Sequence, residues 1–397
     1  MISPEEAWQR LSGGLKLLPP ENLPRRQARG RVLAGAVRAD VDLPPCDMSA
    51  MDGYAVPEPV TAGVRLPVAG TIAAGDAPVG VLEPGTAVRI MTGAAVPDGA
   101  DSVVPVEQTD GGSEFVEFTA DSSRGAHIRR AGEVVRAGDR ILAPGTSITP
   151  AVLGLLASHG VAKVAVHGAP RVATLATGDE ILAPEVRPGP GQLRDTHTDF
   201  LLAAGASLGL DFHALGIARD TQADLSSHIA KGLDHDVLLI SGGVSKGIFD
   251  LVEDVLAEHG CRTLFDAVAV QPGKPLVAAA HDRGWVFGLP GNPASAIVCF
   301  WLFVKPFLHR LMGRSDGFWN SALGAQLAGP LPGARGRDRF LTASIETRDG
   351  RLLATPLPPQ GSHDIVAYGH GSALIRIRAH AEPAEAGAPC EVLLLPG

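Results

Sequence analysis

Between residues 170 and 313 the chain alternates short apolar runs of strand length with longer runs of helical spacing. "RVATLAT", "FHALGIA", "DVLLISG" and "WVFGLPG" are the strand-like runs. "TDFLLAAGASLG", "TQADLSSHIAKGL", "FDLVEDVLAEHG" and "NPASAIVCFWLFVKPFLHRLM" follow them in turn as helices. This alternation predicts a doubly wound α/β domain with a mostly parallel sheet. The most apolar stretch, "ASAIVCFWLFV", stops at Lys305 and Pro306. It is too short to cross a bilayer and reads as a buried helix.

The flanking segments have other textures. Ser3, Pro4 and Glu6 carry the spacing of a helix start, and a second short helix is expected over 22–35. From about 40 to 134, runs such as "VRLPVAGTIAAG", "DSVVPVEQ" and "EFVEFTA" are punctuated by Gly, Pro and Asp, the mark of an antiparallel β-domain. "ITPAVLGLLASHG" restores a helix, with Thr149 as cap, Pro150 in the first turn and Gly160 as stop. From about 319, "RFLTASIE", "LLATPL", "SALIRIRA" and "CEVLLLP" predict a small C-terminal, barrel-like β-domain. The expected division is a helical connecting domain from 1–38 and 135–169 and an inserted β-rich domain at 39–134. An α/β domain at 170–318 and the C-terminal β-domain at 319–397 complete it.

Composition narrows the partners. A chain of 397 residues, 45% hydrophobic and 19% charged, is a foldable multidomain protein. Its net charge of −9 argues against general binding to nucleic acid or to an anionic membrane, leaving room for local anion sites. Cys46, Cys261, Cys299 and Cys390 have neither metal-knuckle nor disulfide-framework spacing, and the N-terminal stretch has no signal-peptide core. A cytoplasmic location with reduced thiols is expected.

Ligands of a doubly wound sheet bind beyond the carboxyl ends of its strands. Four loops expected there are glycine-bearing: "TGDE" at 177–180, "SGGVSKGIFD" at 241–250, "QPGKP" at 271–275 and "LPGNPAS" at 289–295. Two of the six lysines, Lys246 and Lys274, fall in these loops of an arginine-rich chain. A compact ammonium beside free helix-start amides suits a phosphate or another oxyanion. The plainer reading makes the glycines turn residues and the lysines solvated charges. Asp179, Glu180, Asp195 and Asp250 suit Mg²⁺ beside a phosphate, while Asp179 and Asp195 equally fit helix caps or turns. Walker A, G-x-G-x-x-G, HExxH and G-x-S-x-G patterns are absent.

"DMSAMDGYAV" (47–56), "RIMTGAAVP" (89–97), "HIRRAGE" (127–133), "LATGDEIL" (175–182), "SGGVSKGIFD", "PGKP" (272–275) and "GLPGNPASA" (288–296) occur together and in order. The chain thereby resembles the molybdopterin molybdenumtransferase family, which includes the E domain of gephyrin, from about residue 3 to its C-terminus. The resemblance implies a transferase that inserts molybdate into adenylylated molybdopterin, with AMP leaving and Mg²⁺ assisting. It implies a homodimer whose site joins the α/β domain of one subunit to the β-domain of the other, and other molybdenum cofactor biosynthesis proteins as partners. Catalytic residues would be Asp52, Thr92, Glu180, Asp250 and Lys274, with Asp52 and Thr92 reaching across from the partner and Asp52, Glu180 and Asp250 serving the metal. The pterin nucleotide would contact Thr177, Gly178, Asp179, Asp195, Gly242, Gly243, Ser245, Lys246, Pro272, Gly273, Pro290, Gly291, Asn292, Pro293 and Ser362.

Three positions depart from the family's commonest pattern, each losing a charge. Val134 stands for Asp after "RRxGE", Gln271 for Lys before "PGKP", and Thr342 for Arg in the last domain. Lys246, where an uncharged residue is common, is expected to restore one cation. Competing readings are an altered paralogue that binds the nucleotide without inserting metal, a tungstate enzyme, and a scaffold.

Overall fold

The computed structural model describes residues 1–77, 80–242 and 249–396, without the side chains of Phe249 and Asp250. Two compact units emerge. One comprises Met1–Leu23, Ala28–Ala34 and Ala165–Gly397, the other Pro24–Gln27 and Gly35–Val164.

The second unit carries the expected β-texture, but its main sheet is mixed rather than antiparallel throughout, since Arg65–Ile72 pairs Ala87–Ile90 in parallel. Its main sheet runs Ser102–Pro105, Gly53–Val56, Ala87–Ile90, Arg65–Ile72, Phe115–Glu117. Tyr54, Val56, Val104, Val116 and Phe118 close one apolar core of this sheet. The helix Pro150–Ser158 begins as the sequence dictates, with the Thr149 hydroxyl accepting from the Val152 amide at 3.2 Å. Gly160 ends it at φ +64°, where a side chain would strain the backbone.

In the first unit the helix Pro4–Gly13 starts at Ser3, whose hydroxyl accepts from the Glu6 amide at 3.0 Å. The Glu6 carboxylate pairs forward with Arg10. The α/β sheet is ordered Phe212–Ala218, Val172–Thr177, Val237–Ser241, Gly284–Leu289, Val277–His281, Arg262–Phe265. Its first four strands are parallel and its last two pair antiparallel. The chain leaves Val172–Thr177 toward one edge and returns on the other side at Val237–Ser241. The carboxyl ends of those two strands therefore flank the switch point of the sheet. The helix Pro293–Leu311 has the length and hydropathy of a membrane span, but 89% of that stretch is buried inside the protein. It is a core helix, with Phe300, Phe303 and Phe307 fully buried.

The C-terminal strands close a five-stranded barrel. Asp338–Arg348, Arg351–Pro356, Leu323–Leu327, Pro389–Leu394 and Ala373–Ile377 follow one another, and the last pairs back onto the first. The two-residue strand Val270–Gln271 adds to this barrel in parallel, with Gln271 opposite Arg339.

A helix expected from the sequence is also missing. Residues 22–35 do not form a helix. They hold the end of a strand, Pro20–Pro24, then a 3-10 turn, Arg25–Ala28, and Leu33 bridges to Val166. Pro24 lacks an amide proton and biases the residue before it toward extended backbone, which ends any helix there.

Candidate functional site

At the switch point of the first unit lies a cleft of about 1000 Å³ between the strand ends of the α/β sheet and one end of the barrel. Four loops build its α/β side. After Thr177 the chain passes Gly178 and Asp179 to Glu180, which lines the cleft. After Ser241 comes Gly242 at φ +100°. A Cβ there would stand 2.2 Å from the Thr177 carbonyl oxygen, so close approach and backbone conformation both demand glycine.

The third loop is Gln271–Pro275. Gly273 has φ +110°, and its Cβ would lie 2.6 Å from the Cys299 sulfur. Cys299 donates to the Gly273 carbonyl at 3.4 Å, and full burial pushes its thiol far above the ordinary range. The sulfur serves packing. The fourth loop, Pro290–Asn292, opens the helix at Pro293, which has no amide proton, and the Ser295 and Ala296 amides turn back to the Asn292 carbonyl, so this helix start offers no free amide to an anion. The Ala294 amide also donates to the Ser362 carbonyl at 3.2 Å, tying the Gly361–His363 loop beside this helix start.

Of the residues singled out from sequence, Thr177, Glu180, Asp195, Gly242, Pro272, Gly273, Lys274, Pro290, Gly291, Asn292, Pro293 and Ser362 line this one cleft. Gly178 and Asp179 lie behind it. Asp179 and Asp220 each accept the other's amide at 3.3 Å. Burial, together with the charges of Asp179 and Glu180, raises the Asp220 carboxyl. Sequence reading overlooked Asp220, although "IARD" puts it just past a strand end. Gly243, Ser245 and Lys246 fall outside the described residues, as does the side chain of Asp250.

Asp195 lines the cleft and also caps a helix start. One carboxylate oxygen accepts from the His197 and Thr198 amides at 3.0 and 3.1 Å, the other from the Thr198 hydroxyl at 2.5 Å. It caps the helix His197–Ser207. His197 is buried at the cleft, with Nε2 unpartnered. Burial lowers its pKa against the pull of Asp195. The Thr177 hydroxyl is likewise buried without a partner among the described residues.

The cleft also gathers cations the sequence reading missed: Arg194, Arg337 and Arg339. Lys274, Arg337 and Arg339 make no side-chain hydrogen bond or ion pair among the described residues. Cations without a partner among the described residues, in the wall of a cleft that also holds Glu180, suit an anion. Thr342 is fully buried, against Gly371, and outside the cleft.

Asp52 and Thr92 belong to the second unit. The Asp52 carboxylate accepts from both the amide and the hydroxyl of Thr92, which lowers its pKa. The described residues contain no cluster of three or more His, Cys, Asp or Glu side chains with metal-site geometry. Mg²⁺ needs less, since it commonly takes one or two carboxylates, substrate phosphate oxygens and waters. Glu180, a carboxylate in the wall of the cleft, fits that demand.

Fold and cleft define a multidomain α/β enzyme with an anion-binding site at the switch point of its sheet. Three family descriptions match in order: "MoeA N-terminal region (domain I and II)" over residues 2–160, "Probable molybdopterin binding domain" over 173–310, and "MoeA C-terminal region (domain IV)" over 324–395. The chain is 36% identical to molybdopterin molybdenumtransferase 2 of Mycobacterium tuberculosis across 99% of both chains. It is 33% identical to molybdopterin molybdenumtransferase of Bacillus subtilis across 92% of this chain and 87% of that one. The crystal structure of the molybdopterin biosynthesis MoeA protein from Pyrococcus horikosii superposes with a TM-score of 0.83 at 29% identity, covering 100% of both chains. The chain therefore belongs to the molybdopterin molybdenumtransferase family, and is a transferase of molybdenum cofactor biosynthesis.

Proposed function

We propose that this transferase inserts molybdate into adenylylated molybdopterin with release of AMP. The observation that carries the reading is a set of cations without a partner among the described residues, Lys274, Arg337 and Arg339, lining a cleft that also holds Glu180. Two anionic substrates repel each other. Fixed cations offset that repulsion and hold the reacting groups together.

Within this reading Glu180 and Asp250 hold Mg²⁺ on the α/β side, and Asp52 reaches the site from a second subunit with Thr92 behind it. Mg²⁺, when bound, would offset charge on the phosphate of the departing AMP. Thr177 and His197 hold unpaired polar atoms for the uncharged parts of the nucleotide, and Asp195 supports them by fixing the helix start. The enzyme acts as a cytoplasmic homodimer and receives its nucleotide from another protein of the same biosynthesis. The four-domain division expected from sequence belongs to this reading, with the inserted β-domain at 39–134 serving the partner's site.

The test is incubation with adenylylated molybdopterin, Mg²⁺ and molybdate, assayed for AMP and for cofactor that reconstitutes an apo-molybdoenzyme. Both products are expected. Tight nucleotide binding without AMP release would favour the altered paralogue, and release with tungstate alone would reassign the metal.

A further inference from the structure

The strand Val270–Gln271 runs parallel to the barrel strand Asp338–Arg348, with Gln271 opposite Arg339. Both side chains line the cleft, with Lys274 three residues further on. Asp338, between Arg337 and Arg339, is buried and points the other way. Its carboxylate binds Arg376 and accepts from the Ala379 amide at 2.9 Å. Strand alternation then directs Arg339 to the cleft side. Its guanidinium is unpaired among the described residues.

We propose that Arg339 is the principal oxyanion-binding residue of this cleft, acting with Lys274, so that the barrel supplies the cation that the Gln271 position lacks. The ligand group is a tetrahedral, doubly charged oxyanion, either free molybdate or the phosphate of the pterin nucleotide. A guanidinium presents a planar fork that engages such a group through two parallel hydrogen bonds. Lys274, a point charge on a loop fixed by Cys299, supplies a second contact. This rests on the oxyanion-handling reading above and adds the residue that confers it, one remote in sequence from every glycine-rich loop.

The experiment measures oxyanion binding by calorimetry, separately from turnover, with sodium molybdate, inorganic phosphate and AMP as probes. Arg339→Ala is expected to weaken binding about tenfold or more. Arg339→Gln keeps the side-chain bulk and is expected to match it, with the thermal midpoint of each variant reported alongside. Adding Gln271→Lys to Arg339→Ala is expected to recover part of the loss, because the new ammonium stands at the neighbouring ladder position. Loss toward molybdate and phosphate assigns the seat to a free oxyanion, and loss toward AMP assigns it to the nucleotide. Unchanged binding of all three probes in both Arg339 variants overturns the proposal, as does a wild-type protein that binds none of them. A wild type that binds, weakens on Arg339→Ala, yet releases no AMP leaves the proposal standing and removes the molybdate-insertion reading.

Discussion

Thr92 holds one oxygen of Asp52 twice, through its amide and through its hydroxyl, each at 2.6 Å. The hydroxyl bond is the largest cause of the lowered Asp52 pKa, followed by the amide bond. Asp52 therefore stays ionised at lower pH than an ordinary aspartate. In Thr92→Val the hydroxyl bond is gone and the carboxyl titrates closer to its usual value. The acidic limb of the AMP-release profile should move to higher pH, with the rate near pH 8 less affected. Superimposable limbs in variant and wild type would separate Asp52 from the chemistry.

Asp52 and Lys274 sit in different units of the chain. If each active site draws Asp52 from one subunit and Lys274 from the other, Asp52→Asn and Lys274→Ala homodimers should both be inactive. A mixed dimer of the two should regain up to one working site of two. Measured AMP release in co-purified heterodimers checks this, and no recovery would mean that the two residues act within one chain.

Arg376 is buried between Asp338 and Glu5, with its guanidinium 4.9 Å from the Phe318 ring centre. Deleting one partner of a buried ion pair leaves the other charge uncompensated, at a cost of about 3–5 kcal/mol. Arg376→Ala should lower stability by that order. Arg376→Met with Asp338→Leu should recover much of it, because no buried charge is left alone. Denaturant midpoints of the single and double variants measure the difference.

Burial is the main cause of the lowered His197 pKa. The unfolded chain takes up this proton near pH 6.5 while the folded chain resists it. The unfolded state then binds more protons, so stability falls as pH drops below about 6.5. In His197→Asn that contribution vanishes. The stability difference between wild type and variant, followed from pH 8 to pH 5, should shift in the variant's favour. A constant difference would show that His197 is protonated alike in both states.

Much of the fold was legible in local chemistry. Caps at Ser3 and Thr149, the stop at Gly160 and the strand-helix alternation depend on neighbours within a few residues, and they form as read. Residues 22–35 failed because Pro24 and the pairing of Leu33 with Val166 outweigh a weak helical pattern. The four glycine-rich loops announced themselves by composition, and residues of all four line one cleft. Asp195 illustrates the limit, since the same carboxylate suits a ligand or a cap, and no spacing along the sequence records that it faces the cleft while accepting from His197 and Thr198. Arg337 and Arg339 gave no local signal in an arginine-rich chain. A ladder joining residues 271 and 339 brings them to the cleft, and no spacing along the sequence records it.

Gly273 fits under Cys299 with no room for a methyl group, and Gln271 is laddered to the barrel. The backbone that carries Lys274 is thereby fastened on two sides, to the core helix through Gly273 and to the barrel strand of Arg339 through Gln271. Adjustment to a ligand then falls to the lysine and arginine side chains rather than to the backbone beneath them.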